Sequence, residues 1–346
     1  MKKKRTYILL GVVLFILILL GGAVFWFYSK VNTSAFEKSG KEVIGSIYIG
    51  EERNYGDILF RLDSLGLKDI SFFEILAKYM KYSKNIKSGK YDLAKDLSYL
   101  ELIRKLRSGN QDPISFAFNN LRLKEDLIKK VGDQFLFGAH SLKQKLNDPK
   151  TCELLGFDTV TIVSMFIPNT YEIYWNISVD RFLERMKTEY KHFWTSDRLK
   201  KSDSISLTPL EVSILASIVE EETAAHSEYP IVAGLYLNRL KTGMLLQADP
   251  TVKFAVGDVT LQRILYKHLE VDSPYNTYKN PGLPPGPIRI PSIATLNAVL
   301  NPTQHGYFYM VAKEDFSGKH NFSRTLSEHN ANARKYQNAL NKAKIR

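Results

Sequence analysis

Thr208-Pro-Leu-Glu-Val-Ser-Ile-Leu-Ala-Ser-Ile-Val-Glu-Glu-Glu-Thr223 opens as a helix on several agreeing signals. Thr208 is a capping residue, Pro209 suits the first helical position, and Glu211 completes a capping box. At about 100° per residue, Leu210, Ile214, Leu215, Ile218 and Val219 fill one arc. Glu222 falls near the middle of that arc, one turn beyond Ile218. Glu221 sits at its edge, and Glu220 lies opposite, beside Ser213, Ala216 and Ser217. A carboxyl on the buried face of an apolar helix is costly to ionise, so its pKa is expected to rise. It then keeps a proton to donate near neutrality, which is what breaking a glycosidic bond asks of an acid. The plainer reading has Glu222 capping a partner or pairing with an arginine such as Arg239.

Downstream, His226 is expected to close this helix. A second helix runs from about Pro230 to Lys241, carries Asn238-Arg239 and stops at Gly243. Gln247-Ala248-Asp249-Pro250-Thr251 reads as a polar turn suited to a cleft. Tyr275-Asn276-Thr277-Tyr278 supplies amide, hydroxyl and aromatic groups of the kind that stack on and hydrogen-bond sugars. Gly282-Leu283-Pro284-Pro285-Gly286-Pro287-Ile288 is a stiff loop that forms a wall with little ordering cost. Strand-like Tyr307–Val311 and His320–Ser323 flank a Gly-containing turn, and a polar helix from Leu326 ends the chain.

Upstream, Ile47-Tyr48-Ile49 reads as a strand. A helix follows with Ile58, Leu59, Leu62 and Leu65 at helical spacing, stopped by Gly66. A second helix is expected from Ser71, with Glu74 as capping partner, to about Tyr82. A turn and strand at 88–93 precede a third helix over Leu97–Arg107. This small α/β module is either a spacer or a glycan-binding unit. Helices near 124–131 and 180–195, with an aromatic loop Met165–Tyr171 between them, begin a larger mixed domain. The fold class expected is therefore α+β.

The first residues bear on where the chain is expected to reside. Tyr7 to Tyr28 is a run of 22 residues without a charge. As a helix it would rise roughly 33 Å, enough to cross a bilayer core of about 30 Å. Lys2, Lys3, Lys4 and Arg5 precede it, and the positive-inside rule keeps that end in the cytoplasm. The alternative is a cleaved signal peptide, but Val24-Phe25-Trp26-Phe27 continues past Gly21-Gly22-Ala23, the only small-residue cluster. The expected organisation is a cytoplasmic tail over 1–6, a transmembrane helix over 7–28, a stalk over 29–45, the small module over 46–109 and the large domain over 110–346. The chain is then a single-pass protein of the cytoplasmic membrane, with its folded part outside (periplasmic in a Gram-negative cell).

The net charge of +12 suits nucleic acid, anionic lipid or an anionic wall polymer. No zinc-finger or basic-zipper pattern supports the first, so no nucleic-acid partner is expected. Seven scattered histidines without a His-Glu-x-x-His leave no reason to expect a metal, and no cofactor is called for. The one cysteine, Cys152, has no internal disulfide partner and reads as a core filler.

Ala216-Ser-Ile-Val-Glu-Glu-Glu-Thr223, Asn238-Arg-Leu240, Leu246-Gln-Ala-Asp-Pro-Thr251, Tyr275-Asn-Thr-Tyr278 and Gly282-Leu-Pro-Pro-Gly286 together resemble the endolytic murein transglycosylase (YceG-like) family. The resemblance extends from the anchor to His320-Asn-Phe322 and Glu328-His-Asn330. It implies that residues 47–109 are a LysM-like module and that the catalytic glutamate is Glu222. Two departures stand out. The family often has Lys where this chain has Glu221, and its Phe-Pro-Asp-Thr-(Trp/Tyr) loop is here Ile167-Pro168-Asn169-Thr170-Tyr171, so Asn169 is assigned to shape.

The resemblance further implies a lytic transglycosylase. Glu222 protonates the oxygen leaving MurNAc and, as a carboxylate, takes the proton of the C6 hydroxyl, which attacks C1 to leave a 1,6-anhydro end. Such an enzyme terminates strand elongation, and peptidoglycan synthases are its candidate partners. Asn238, Gln247, Asp249, Tyr275, Asn276 and Tyr278 are the residues expected to hold the strand. Two rivals stay open at this point: a hydrolytic muramidase, for which Asp249 is the only nominee as second acid, and a non-catalytic wall-binding scaffold.

Overall fold

The computed structural model describes residues 2–37, 42–119, 121–258, 261 and 264–343. The fold is mixed α+β, and the chain divides into two compact units. One comprises residues 1–115 with 172–177, the other 116–171 with 178–346.

In the first unit, α1 (Lys2–Val31) contains a stretch, Tyr7–Val31, long and apolar enough to cross a membrane. Its helix runs beyond the expected end at Tyr28. Residues 38–41 of the expected stalk lie outside the described residues, but its earlier part does not hang free. Val31, Ala35 and Phe36 are buried, and the Ala35 amide donates to the Leu97 carbonyl while its own carbonyl accepts from the Lys68 amide. Burying a side chain such as Phe36 stabilises by roughly 1.5–3 kcal/mol, which is why an apolar residue here is drawn into the core.

The module itself pairs β1 (Val43–Ile49) antiparallel with β2 (Gly89–Ala94) and packs α2 (Tyr55–Ser64), α3 (Ile70–Tyr79) and α4 (Tyr99–Ser108) around Phe73, Tyr82, Leu93 and Leu102. The start of α3 differs from the sequence expectation. Asp69, not Ser71, is the cap, and its carboxylate accepts from the Phe72 amide at 2.9 Å. Ser71 has no need of that role once an acid two residues earlier can neutralise the same orphan amides. Ser98 and Glu101 form a full capping box on α4.

The chain crosses between the units within β3 (Ile114–Ala117) and returns within β4 (Thr170–Ile173). The second unit begins with α5 (Lys124–Gly132), α6 (Gly138–Asn147), α7 (Pro149–Leu155) and α8 (Val179–Phe193). These surround an aromatic cluster in which the Phe182 ring meets Phe116, Phe135, Phe137 and Phe166. Cys152 is buried and free.

Next come α9 (Ser196–Ser204), α10 (Pro209–Glu222), α11 (Tyr229–Thr242), α12 (Asp249–Val256), the short α13 (Tyr266–Leu269) and α14 (Ile293–Leu300). A hairpin of β5 (Tyr309–Ala312) and β6 (His320–Ser323), paired antiparallel, leads into α15 (Leu326–Lys342).

The helix α10 is the centre of this unit, and it corrects the amphipathic reading. Every residue from Val212 to Val219 is buried, the supposed polar face included. Ser213 and Ser217 do not face water. Their hydroxyls donate to the carbonyls of Pro209 and Ile214, and Ser217 Oγ also accepts from the Ile288 amide at 3.0 Å. Small hydroxyl residues that satisfy themselves along the helix let a second layer, the 288–300 segment, pack closely.

Candidate active site

The end of α10 turns its three glutamates to three different tasks. Glu220 is tied to the start of α14, where Oε2 accepts from the Ser292 amide and the Thr295 hydroxyl, each at 2.6 Å. Glu221 forms ion pairs with Arg289 at 2.5 Å and Arg122 at 3.2 Å. Only Glu222 turns toward α11, where Oε1 accepts from the Tyr236 hydroxyl at 2.5 Å.

That carboxyl lines a polar cavity of about 190 Å³, with Tyr236, Arg239, Gln247, Asp249, Tyr278 and His320 among the other walls. Protein surrounds it closely enough that burial pushes its pKa up to about 7. The negative charge of Asp249 adds to the rise, while the Tyr236 hydrogen bond and the charges of Arg239 and Lys253 oppose it. Burial, and then the charge of Glu222, hold the Tyr236 phenol well above its ordinary range, so it stays a donor.

Arg239 does not pair with Glu222 through a hydrogen bond. It is buried, and its guanidinium donates to the carbonyls of Phe308 and Leu246 at 2.7 and 2.5 Å. It works with Asn238, whose amide donates to the carbonyls of His305 and Tyr307 at 2.9 and 3.1 Å. One face of α11 is thus a splint for residues 303–308. The splint lies close because Gly234 has no side chain: a Cβ there would sit 2.4 Å from the Thr303 carbonyl oxygen. The strand β5 continues directly from this segment and brings Met310, Val311 and Ala312 to the cavity wall.

The two remaining motifs are zipped together. Thr277 is buried; its carbonyl accepts from the Gln247 amide at 3.1 Å, and its hydroxyl accepts from the Ala248 amide at 3.0 Å. Asn276 is buried too, with its amide donating to the Leu269 and Val271 carbonyls and its oxygen accepting from the Tyr278 amide. Gln247 takes a left-handed conformation, φ 49°, and Ala248 follows it as the cap of α12. The expected polar turn is therefore only Gln247-Ala248, because Pro250 at the first turn starts a helix instead. With the backbone so fixed, the Tyr278 hydroxyl donates to Asp249 at 2.6 Å at the cavity wall.

Of the residues singled out from sequence, Glu222, Gln247, Asp249 and Tyr278 come together around one cavity. Asn238 and Asn276 are committed to backbone carbonyls behind it. Tyr275 lies elsewhere. Its ring packs 4.6 Å from that of Phe254, beside a separate cavity lined by Val160, Val163 and Pro287.

Sequence reasoning missed Tyr236 and gave no role to His320. A signal existed for the first, since a tyrosine on the buried side of a helix needs a partner for its hydroxyl. For the second there was none, because its partner, Glu228, is 92 residues away in sequence. Among the described residues no group of three His, Cys, Asp or Glu side chains is placed to hold a metal ion.

Residues 47–335 match the family described as YceG-like. The chain is 30% identical to the endolytic murein transglycosylase of Bacillus subtilis (strain 168), over 94% of this chain and 92% of that protein. It is 26% identical to the protein of the same name from Streptococcus pneumoniae serotype 2 (strain D39 / NCTC 7466), over 97% of this chain and 66% of that one. A crystal structure of a yceG-like protein from Listeria monocytogenes superposes with a TM-score of 0.54 and 26% identity, over 83% of this chain and 98% of that one.

Proposed function

The chain belongs to the YceG-like family, and from that premise we propose that it is an endolytic murein transglycosylase, a lyase that cuts the glycan strands of peptidoglycan. The observation that carries this reading is the Glu222 carboxyl, raised to about 7 at the wall of a polar cavity and oriented by Tyr236. Such a group is protonated in a large fraction of molecules at neutral pH, and a positioned acid of this kind is worth about 10²–10⁴ in rate.

Glu222 protonates the glycosidic oxygen between MurNAc and GlcNAc. The C6 hydroxyl of MurNAc closes on C1, leaving a 1,6-anhydro end, and its proton restores Glu222. No protein nucleophile and no activated water take part, so one acid suffices. Gln247, Asp249 and Tyr278 contact the strand at the cavity, while Asn238 and Asn276 hold the walls in place. Tyr275, with Phe254, contacts the strand farther from the cut.

The N-terminal helix anchors the chain in the cytoplasmic membrane as a single pass, with Lys2–Arg5 inside and both folded units outside. The module over 46–109 is LysM-like and grips the glycan. An anchored enzyme of this kind terminates elongation of nascent strands beside the peptidoglycan synthases.

A hydrolytic muramidase has one observation in its favour, which is that Asp249 lines the same cavity. Against it, the Asp249 carboxylate is engaged by Tyr278.

The deciding test compares the detergent-solubilised full chain with its Glu222→Gln variant on purified peptidoglycan sacculi. Solubilisation by the wild type, lost in the variant with its circular dichroism unchanged, supports the enzyme. Binding without solubilisation by a folded wild type would make the protein a scaffold.

A further inference from the structure

A buried carboxylate holds in one orientation a histidine that lines the same cavity as Glu222 and Tyr236. Glu228 follows α10 and is buried. Its Oε1 accepts from the His320 backbone amide at 2.8 Å, and its Oε2 lies 2.8 Å from His320 Nδ1 and accepts from the Thr223 hydroxyl at 3.0 Å. Each of these three partners donates to Glu228, so most of the carboxylate's roughly four acceptor sites are taken and Nδ1 carries a proton toward it. With Nδ1 committed to Glu228, Nε2 is the ring nitrogen left for an occupant of the cavity that His320 and Glu222 both line. A carboxylate that fixes the tautomer and direction of an imidazole is the arrangement by which an imidazole is made a base.

We propose that His320 is a second catalytic residue of this site, with Nε2 accepting the proton of the sugar hydroxyl that attacks C1, and that Glu228 is its positioning residue. The proposal rests on the transglycosylase reading above and adds a path for the second proton. As the C6 oxygen bonds to C1, its hydrogen passes to Nε2. The bond from C1 to the glycosidic oxygen breaks, its electron pair stays on that oxygen, and the oxygen takes the proton of Glu222. The site is left with an imidazolium and a carboxylate, and transfer of one proton from the first to the second restores both. No water is consumed, and the product carries the anhydro bond.

The groups that face His320 are consistent with this division of labour. Glu228, itself held by the Thr223 hydroxyl, holds it from one side. Glu222, Asp249, Arg239, Tyr236 and Tyr278 line the same cavity, and of these Glu222 is the one held near neutrality. The Phe322 ring, 6.3 Å from the imidazole, backs it on the same strand.

The test is the rate of anhydro-end formation by the full chain on uncrosslinked glycan strands. His320→Asn keeps an N–H at the position of Nδ1 and so keeps the bond to Glu228, but deletes Nε2. The proposal expects kcat to fall about 100-fold or more, with KM changed less than threefold and the unfolding midpoint unchanged. His320→Ala is expected to lose as much and to recover part of it in added imidazole. Glu228→Gln is expected to lower kcat about tenfold with KM held.

His320→Asn retaining kcat within threefold of wild type, beside a Glu222→Gln variant that is dead, would overturn the proposal and leave the transglycosylase reading intact. A wild type that forms no anhydro ends would overturn both.

Discussion

The Tyr236 hydroxyl donates to Glu222 Oε1 at 2.5 Å, and this one bond opposes the burial that raises the acid. A donor to a carboxylate favours its charged form. The site therefore balances two demands: the acid must hold a proton at neutral pH, and it must release it without leaving a bare buried charge.

The activity of the wild type follows from that balance. With Glu222 at about 7, kcat/KM is expected to be governed by its protonated fraction and to fall about tenfold per pH unit above that value. Tyr236→Phe removes the donor, so the falling limb should move to higher pH, by roughly half to one unit. A pH–rate profile measures this directly, and a limb that moved to lower pH would contradict the assignment.

Asp249 acts in the opposite direction. Its charge helps to raise Glu222. Asp249→Asn should lower the limb by up to about one unit and leave substantial activity at pH 6. A muramidase that used Asp249 as its second catalytic group would lose activity at every pH.

The same acid carries a stability signature. Its folded pKa of about 7 lies above the ordinary glutamate value of about 4.3, so between those values the folded state binds more protons than the unfolded one. Stability contributed by this position is full at low pH and is lost as pH rises through 7. Glu222→Gln, which never ionises and still accepts from Tyr236, should match wild type near pH 4 and exceed it by about 1–3 kcal/mol above pH 7. Thermal unfolding at pH 5 and pH 8 measures the difference; equal shifts at both would contradict it.

The splint on α11 predicts a different class of effect. Asn238→Ala leaves the His305 and Tyr307 carbonyls without their donor and should cost about 1–3 kcal/mol of stability. Gly234→Ala pushes a methyl into the Thr303 carbonyl and should cost at least as much. Gln247→Ala, exposed at the cavity, should leave the unfolding midpoint in place and raise KM. Unfolding midpoints beside KM values separate the three.

These contrasts also mark what the sequence could convey. Thr208, Pro209 and Glu211 announced the start of α10, because a capping box is written within four residues. The place of Glu222 on the helix was legible for the same reason, since its position relative to Ile218 and Leu215 is fixed by helix geometry. The motif at 246–251 lies at the cavity that Glu222 lines, yet its turn was misjudged where Pro250 begins a helix. Asn238 and Asn276 looked like ligands because amides serve carbonyls and sugars equally well; only the surrounding backbone decides which. The fate of Glu220, buried against Ser292 and Thr295, and the Glu228–His320 pair were out of reach, since both depend on contacts between segments more than 70 residues apart.

The central claim is that Glu222 cuts glycan strands without water, and mass spectrometry of the product ends tests it most directly. Incubation of the full chain with purified strands is expected to yield anhydro-MurNAc ends that vanish in Glu222→Gln. Reducing MurNAc ends formed by the wild type would contradict the account.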